Sequence, residues 1–219
     1  MKDIPVVFEN EDCIVFNKPA GLAVQGGAGV GASLDRLIAE RWSPRPLLVH
    51  RLDKDTSGLI LVAKHKLGAV RFSRLFSREK GTGLVKQYLA VCAGSPERSA
   101  GAIRFDLDIR GAVKRSETVY RRVSGNGGFS LLELELGTGR MHQIRRHLAE
   151  LGHPVLGDDK YGDFRLNKAL RKTAGLKRLL LHAARLIFAD TEPDFPAVLS
   201  APLPEHFAEF LRRSGIASG

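Results

Sequence analysis

His50-Arg51-Leu52-Asp53-Lys54-Asp55-Thr56-Ser57-Gly58, followed at once by Leu59-Ile60-Leu61-Val62-Ala63, is the stretch on which the fold turns. Its first nine residues hold two carboxylates, three basic or imidazole groups and two hydroxyls, and the next five are all apolar. A short unbroken apolar run behind a glycine reads as a fully buried strand. The polar cluster is then a turn at the head of that strand, a place where a rigid scaffold can hold functional side chains. A solvated turn with local ion pairs would have the same composition, and chemistry alone weighs the two readings evenly.

Working outward, further strands are predicted at 13–17, 88–93, 118–123, 129–136 and 179–188. In 129–136, Leu132, Leu134 and Leu136 alternate with Glu133 and Glu135, the period of a half-buried strand. Helices are predicted in three places. Ser33 stands as an N-cap before Leu34, Leu37, Ile38 and Trp42; a second helix lies within 67–77, with Val70 and Phe76 among its apolar contacts; a third runs over 140–151 and stops at Gly152. Strands outnumber helices and do not alternate with them. The fold class is therefore α+β, with a mixed, largely antiparallel sheet. Pro and Gly clusters at 25–31, 94–101 and 124–128 mark loops, none of them long enough for a linker, so residues 1–219 are expected to form a single domain.

Composition narrows the function. The 219 residues are 43% hydrophobic and 26% charged, as in an ordinary globular protein. Cys13 and Cys92 are too few for a disulfide scaffold and suit a reducing cytoplasm. The start, MKDIPVVFENED, lacks the plan of a signal peptide, and the most apolar stretch, at 179–189, is broken by His182 and Arg185 and falls far short of a bilayer span. A cytoplasmic protein without membrane association is expected. The net charge is +10, with 22 Arg to 12 Lys, and residues 51–185 carry the excess while both ends are slightly acidic. Such a balance points to an anionic partner, most often nucleic acid, and arginine suits both phosphate and base stacking.

The glycine-rich loop at 26–31 lacks the Lys-Ser/Thr ending of a phosphate loop and the spacing of a dinucleotide site, so it reads as a surface loop. His142 and His147 are five apart, no Cys pair has ligand spacing, and no metal site is expected. A second functional concentration is Gly139-Arg140-Met141-His142-Gln143-Ile144-Arg145-Arg146-His147-Leu148. On a helix, Met141, Ile144, Leu148 and Leu151 form a buried stripe, while His142, Arg145, Arg146 and Ala149 share another face. From that face Arg145 can reach a carboxylate or a phosphate; a basic surface helix is the plainer reading.

HRLDKDTSG at 50–58 closely resembles the signature of the RluA-type pseudouridine synthases. So do Asn17-Lys18-Pro19-Ala20-Gly21, Lys86-Gln87-Tyr88-Leu89-Ala90, GRMHQIRRHLAELGHPVLGDDKYG at 139–162 and Leu180-Leu181-His182-Ala183. The blocks keep the family's order and span residues 13–185. GDFRLNKALRKTAGLKRLLLHAA at 162–184 is most similar to the RluC branch, which modifies large-subunit ribosomal RNA. Met141 stands where the family more usually has Thr, and Arg146 where Val is common. The small N-terminal RNA-binding domain of many members is not expected ahead of these blocks.

The resemblance implies a pseudouridine synthase-like fold, with helices flanking the sheet and a central RNA-binding cleft. It implies an isomerase that detaches uracil from its ribose, turns it and rejoins it through C5, with no cofactor and no metal. Asp53 would be the nucleophile, attacking ribose C1′ or C6 of the base, or assisting deprotonation at C2′. Arg145 would offset the desolvation of that carboxylate, since a nearby cation typically lowers such a pKa by ~1–3 units. Tyr88 would stack on uracil and relay a proton, and Leu181 would wall the other side of the base. Arg51 would fill the space left by the flipped nucleotide; Lys18, Arg140 and His142 would contact phosphate. The expected partner is RNA, ribosomal ahead of transfer RNA, met by a monomer. The rivals are a catalytically silent RNA-binding or ribosome-assembly protein on the same fold, and a basic interaction protein with no RNA role.

Overall fold

The computed structural model describes residues 4–27, 31–77, 83–109, 112–137, 139–189 and 195–217. Residues 28–30 of the glycine-rich loop lie outside them. In chain order the elements begin β1 (Val6–Glu9), β2 (Cys13–Lys18), α1 (Leu34–Arg41), β3 (Leu47–Leu48), β4 (Ser57–Ala63), α2 (Lys66–Ser77) and β5 (Leu84–Ala93). They continue with β6 (Ala100–Ile109), β7 (Ala112–Gly125), β8 (Phe129–Leu136), α3 (Gln143–Glu150), α4 (Phe164–Thr173), β9 (Leu181–Phe188), β10 (Val198–Ser200) and α5 (Glu205–Ser214). Two compact units result, one of Met1–Val85 with Ala183–Pro202, the other of Lys86–His182 with Leu203–Gly219. No linker separates them in sequence. The chain passes between them inside β5, again inside β9, and a third time at Pro202–Leu203 in the short connection between β10 and α5, so no linker-like stretch marks the division.

In the first unit β2 pairs antiparallel with β1 on one side and with β4 on the other, and β9 follows β4. All seven residues of β4 are buried, as its unbroken apolar run requires. Leu59, Leu61 and Ala63 join Cys13, Val15, Phe72 and Phe76 in one core. The register sets Lys18 opposite Gly58, so the end of β2 lies beside the start of β4. Gly58 is irreplaceable there. Its φ is +108°, and a Cβ would come within 2.2 Å of the Ala183 carbonyl oxygen.

The second unit carries an antiparallel run in the order β5-β8-β7-β6. Leu132 and Leu134 face a core with Ile144 and Leu148 of α3, while Leu131 faces the opposite core with Leu170 of α4 and Phe207, Phe210 and Leu211 of α5. This sheet is covered on both faces, and the fold class is the expected α+β. Both cysteines are free and buried; burial above all pushes each thiol up to about 12, leaving them unreactive.

The structure adds β1, β3, β6, β10, α4 and α5, which the periodicity left unmarked, and it corrects two faces. Met141 is 57% exposed rather than buried, because α3 starts only at Gln143 and Met141 precedes it. Val70 on α2 is likewise exposed, while Phe72 and Phe76 carry the packing. Ser33 is the N-cap residue of α1 by position, but its side chain makes no capping bond.

Candidate active site

In the first unit the signature turn is held from beneath. The Lys18 ammonium is 0% exposed and donates to the carbonyl oxygens of Pro19 at 3.0 Å, Leu22 at 2.9 Å and Lys54 at 3.0 Å. Three donors on three acceptors exhaust the group. The Gly21 N–H donates to the same Lys54 carbonyl at 2.9 Å, and the Thr56 N–H closes the turn onto the Asp53 carbonyl at 3.2 Å. Lys18 thus ties the Asn17–Gly21 block to the residue after Asp53. The expectation of a phosphate contact is corrected: an ammonium with no exposure and no spare donor cannot reach phosphate. Burial is the chief reason its pKa falls to about 8, with Asp55 and Asp53 pulling the other way.

His50 is also structural. Its Nε2 accepts the Leu61 N–H at 2.9 Å, so the ring proton belongs on Nδ1, and the ring stacks on Phe76 at 3.7 Å and 10°. Between these anchors, Arg51 is exposed, Leu52 is buried and Asp53 is partly exposed. A rigid base thus holds Asp53, partly exposed, two residues after an exposed Arg51.

In the second unit Arg145 is only 5% exposed. Its Nε and Nη2 donate to the two carboxylate oxygens of Asp158, both at 2.7 Å, and Nη2 also lies 3.4 Å from the exposed Asp159. Burial opposes ionisation of Asp158, yet hydrogen bonds from Arg145 and from the Tyr161 and Lys160 N–H groups outweigh it and hold its pKa below the ordinary value. The Arg145 guanidinium sits 5.3 Å from the centre of the Tyr161 ring, and the Tyr161 hydroxyl bonds His142 Nδ1 at 3.0 Å. His142 stands at the head of α3 in a left-handed conformation, φ 54°. The Arg140 N–H donates to Gln143 Oε1 at 3.1 Å, while the Arg140 Nε is buried without a partner among the described residues.

Tyr88 is half-buried on β5, opposite Leu134, and Leu181 is buried at the start of β9. Arg140, His142 and Arg145 are therefore gathered on one segment, and Arg51 with Asp53 on another. Sequence reasoning missed Asp158, Tyr161 and Asn167, the residues that fix this segment. Asp158 carried a usable signal, a carboxylate ahead of the short polar run Asp159-Lys160-Tyr161, of which it accepts the Lys160 and Tyr161 N–H groups. Among the described residues no three His, Cys, Asp or Glu side chains cluster as metal ligands, and no helix is long and apolar enough to cross a membrane.

Residues 12–150 match the family model described as RNA pseudouridylate synthase. The chain is 36% identical over 218 residues to the ribosomal large subunit pseudouridine synthase C of Vibrio vulnificus, covering 94% of this chain and 68% of the relative. It is 37% identical over 235 residues to ribosomal large subunit pseudouridine synthase D of Xylella fastidiosa, covering 96% and 70%. Among solved structures, human RNA pseudouridylate synthase domain containing 4 superposes with a TM-score of 0.79 at 27% identity, over 97% of this chain and 93% of that one. The signature turn, the antiparallel architecture and the relatives agree: the chain belongs to the RNA pseudouridylate synthase family and is an RNA pseudouridine synthase.

Proposed function

We propose that this enzyme converts uridine to pseudouridine in large-subunit ribosomal RNA, with Asp53 as its nucleophile. The observation that carries the proposal is the match, across more than nine-tenths of the chain, to relatives named as ribosomal large subunit synthases. In the reaction the N1–C1′ bond breaks, a C5–C1′ bond forms, and the C5 proton leaves to solvent as N1 regains one. No redox partner is needed. The protein must supply an ionised carboxylate, a surface for the turning base and a route for one proton.

Asp53 offers the carboxylate, on a turn locked by Lys18 and His50. Tyr88 offers a stacking face and a phenol, Leu181 an apolar wall, and Arg145 a cation held in place by Asp158. Arg51 is exposed beside Asp53 and is suited to occupy the space of an unstacked nucleotide. Arg140 and His142 are the assigned phosphate contacts.

The test is tritium release from large-subunit RNA labelled at uridine C5. Asp53→Asn keeps the shape of the side chain and should lower turnover by roughly a thousandfold or more, the scale seen when a covalent nucleophile is removed, with RNA binding retained. Wild-type release with Asp53→Asn would sink the assignment. Release from bulk transfer RNA alone would move the substrate and leave the enzyme class intact.

A further inference from the structure

We infer that α4 is a second RNA-gripping element, a basic stripe that holds the phosphate backbone of the substrate beside the reacting uridine. The inference rests on the reading of the substrate as structured RNA. At 100° per residue, Phe164, Arg165, Lys168, Arg171 and Lys172 fall within one third of the helix circumference, and all five are exposed. Asn167 and Leu170 lie outside that arc and are buried. No carboxylate among the described residues pairs with any of the four cations. The nearest acid in sequence, Asp163, spends its carboxylate on the Leu166 N–H as the N-cap.

Helix electrostatics do not account for this stripe. Arg171 and Lys172, in the last turn, suit the negative end of the helix dipole, but Arg165, in the first turn, opposes the positive end, and Lys168 gains little from either. A neighbouring helix shows the usual alternative. On α5, Arg213 pairs with Glu209 at 2.6 Å, and Glu209 also takes Lys177 at 3.1 Å. Unneutralised cations on one face fit a partner that brings regularly spaced negative charge, as a nucleic-acid backbone does. Phe164, 62% exposed at the head of the stripe, adds a stacking surface for an unpaired base.

The helix is also tied to the segment that holds Arg145. On its buried side, Asn167 Nδ2 donates to the Asp158 carbonyl at 3.0 Å and Asn167 Oδ1 accepts the Gly157 N–H at 2.9 Å. Asp158 is the residue that clamps Arg145. Gly162 permits the approach, since a Cβ there would lie 2.3 Å from the Asp158 carbonyl oxygen. Backbone phosphates gripped by α4 would thus be held in register with Arg145.

The experiment compares wild type with the fourfold variant Arg165→Gln, Lys168→Gln, Arg171→Gln, Lys172→Gln. Tritium release from large-subunit RNA is measured from 50 to 300 mM salt, with thermal melting run in parallel. The variant should keep kcat within about twofold, raise KM by about tenfold or more at 150 mM, and flatten the log–log salt slope by about 0.7–0.9 per lost contact, so about 3 in all. Lys168→Gln and Arg171→Gln, singly, should each flatten it by about one such step and serve if the fourfold variant melts early. An unchanged slope and KM would overturn the inference, as would a loss confined to kcat. So would normal kinetics on naked RNA with a defect only on ribosomal particles, which would make the partner a protein. If instead wild type itself left ribosomal RNA unmodified, the substrate reading would fail, and the same comparison on the RNA it does modify would judge α4.

Discussion

Lys18 and Arg145 are two long cations drawn out of water, one in each compact unit, and they are compensated in opposite ways. The Lys18 ammonium rests on three neutral carbonyl oxygens. The Arg145 guanidinium lies in a bidentate grip on the Asp158 carboxylate. Dipoles offset part of the cost of burying a charge, so the Lys18 pKa falls to about 8. A full countercharge offsets more, and the partner is held ionised: Asp158 is shifted down despite burial. A buried cation on carbonyls thus gives up its proton more readily than one in water, while one on a carboxylate depends on its partner being present. Each holds a segment that carries proposed catalytic groups, the Asp53 turn in one case and the start of α3 in the other.

The sharpest way to break the contrast is Asp158→Asn. It removes the carboxylate that grips a buried guanidinium in two hydrogen bonds, and breaking a buried ion pair by removing one partner costs about 3–5 kcal/mol; Asp159, at 3.4 Å, is largely exposed and screened. Urea denaturation should show that loss. A change well under 1 kcal/mol would mean that Arg145 is compensated by other groups.

Lys18→Met should cost less, about 1–3 kcal/mol, because three hydrogen bonds vanish together with the desolvation of a charge. The pH dependence carries the sign. The folded value of about 8 lies below the ordinary 10.5. Between them the unfolded chain holds the proton and the folded chain does not, so stability from Lys18 rises as pH climbs from about 8 to 10.5. The gap between wild type and Lys18→Met should therefore widen over that window. A constant gap would deny the lowered pKa.

His147 tests the same rule on an imidazole, with the smallest effect. It is fully buried, its Nε2 meets Ser116 Oγ at 2.9 Å, and its Nδ1 has no partner among the described residues. Burial, with Arg146 adding to it, pushes the pKa down to about 4, against a weaker pull from the Phe105 carbonyl. From pH 6.5 down to about 4 the unfolded chain takes up a proton that the folded chain refuses, so stability falls as pH falls. Wild type should lose melting temperature more steeply than His147→Gln across that range. Parallel curves would show that His147 does not titrate with folding.

The uninterrupted apolar character of 59–63 and the alternation at 129–136 made two strands legible, and both formed where expected. Periodicity failed on α4 and α5. Their buried faces are short and interrupted by charge, and they become sheet-covering helices only because Leu131 and Val91 present an apolar face to them. The site divides the same way. The sequence alone singles out the turn around Asp53 and the Arg140–Leu148 segment, because dense polar chemistry beside apolar runs is a local property of the chain.

Lys18 and Arg145 show where that legibility stops. Nothing local distinguishes a lysine that meets phosphate from one that binds three carbonyls, as that depends on β2 and β4 pairing in the register that sets Lys18 opposite Gly58. Likewise the spacing offered Arg145 a carboxylate or a phosphate, and only the return of the chain at Gly157–Tyr161 brought Asp158 to it. Sequence by itself determined which residue types were concentrated where, and the resemblance of its motif blocks pointed to the enzyme family. Tertiary structure decided which charges were buried and against what, because desolvation and pairing depend on neighbours supplied by distant parts of the chain.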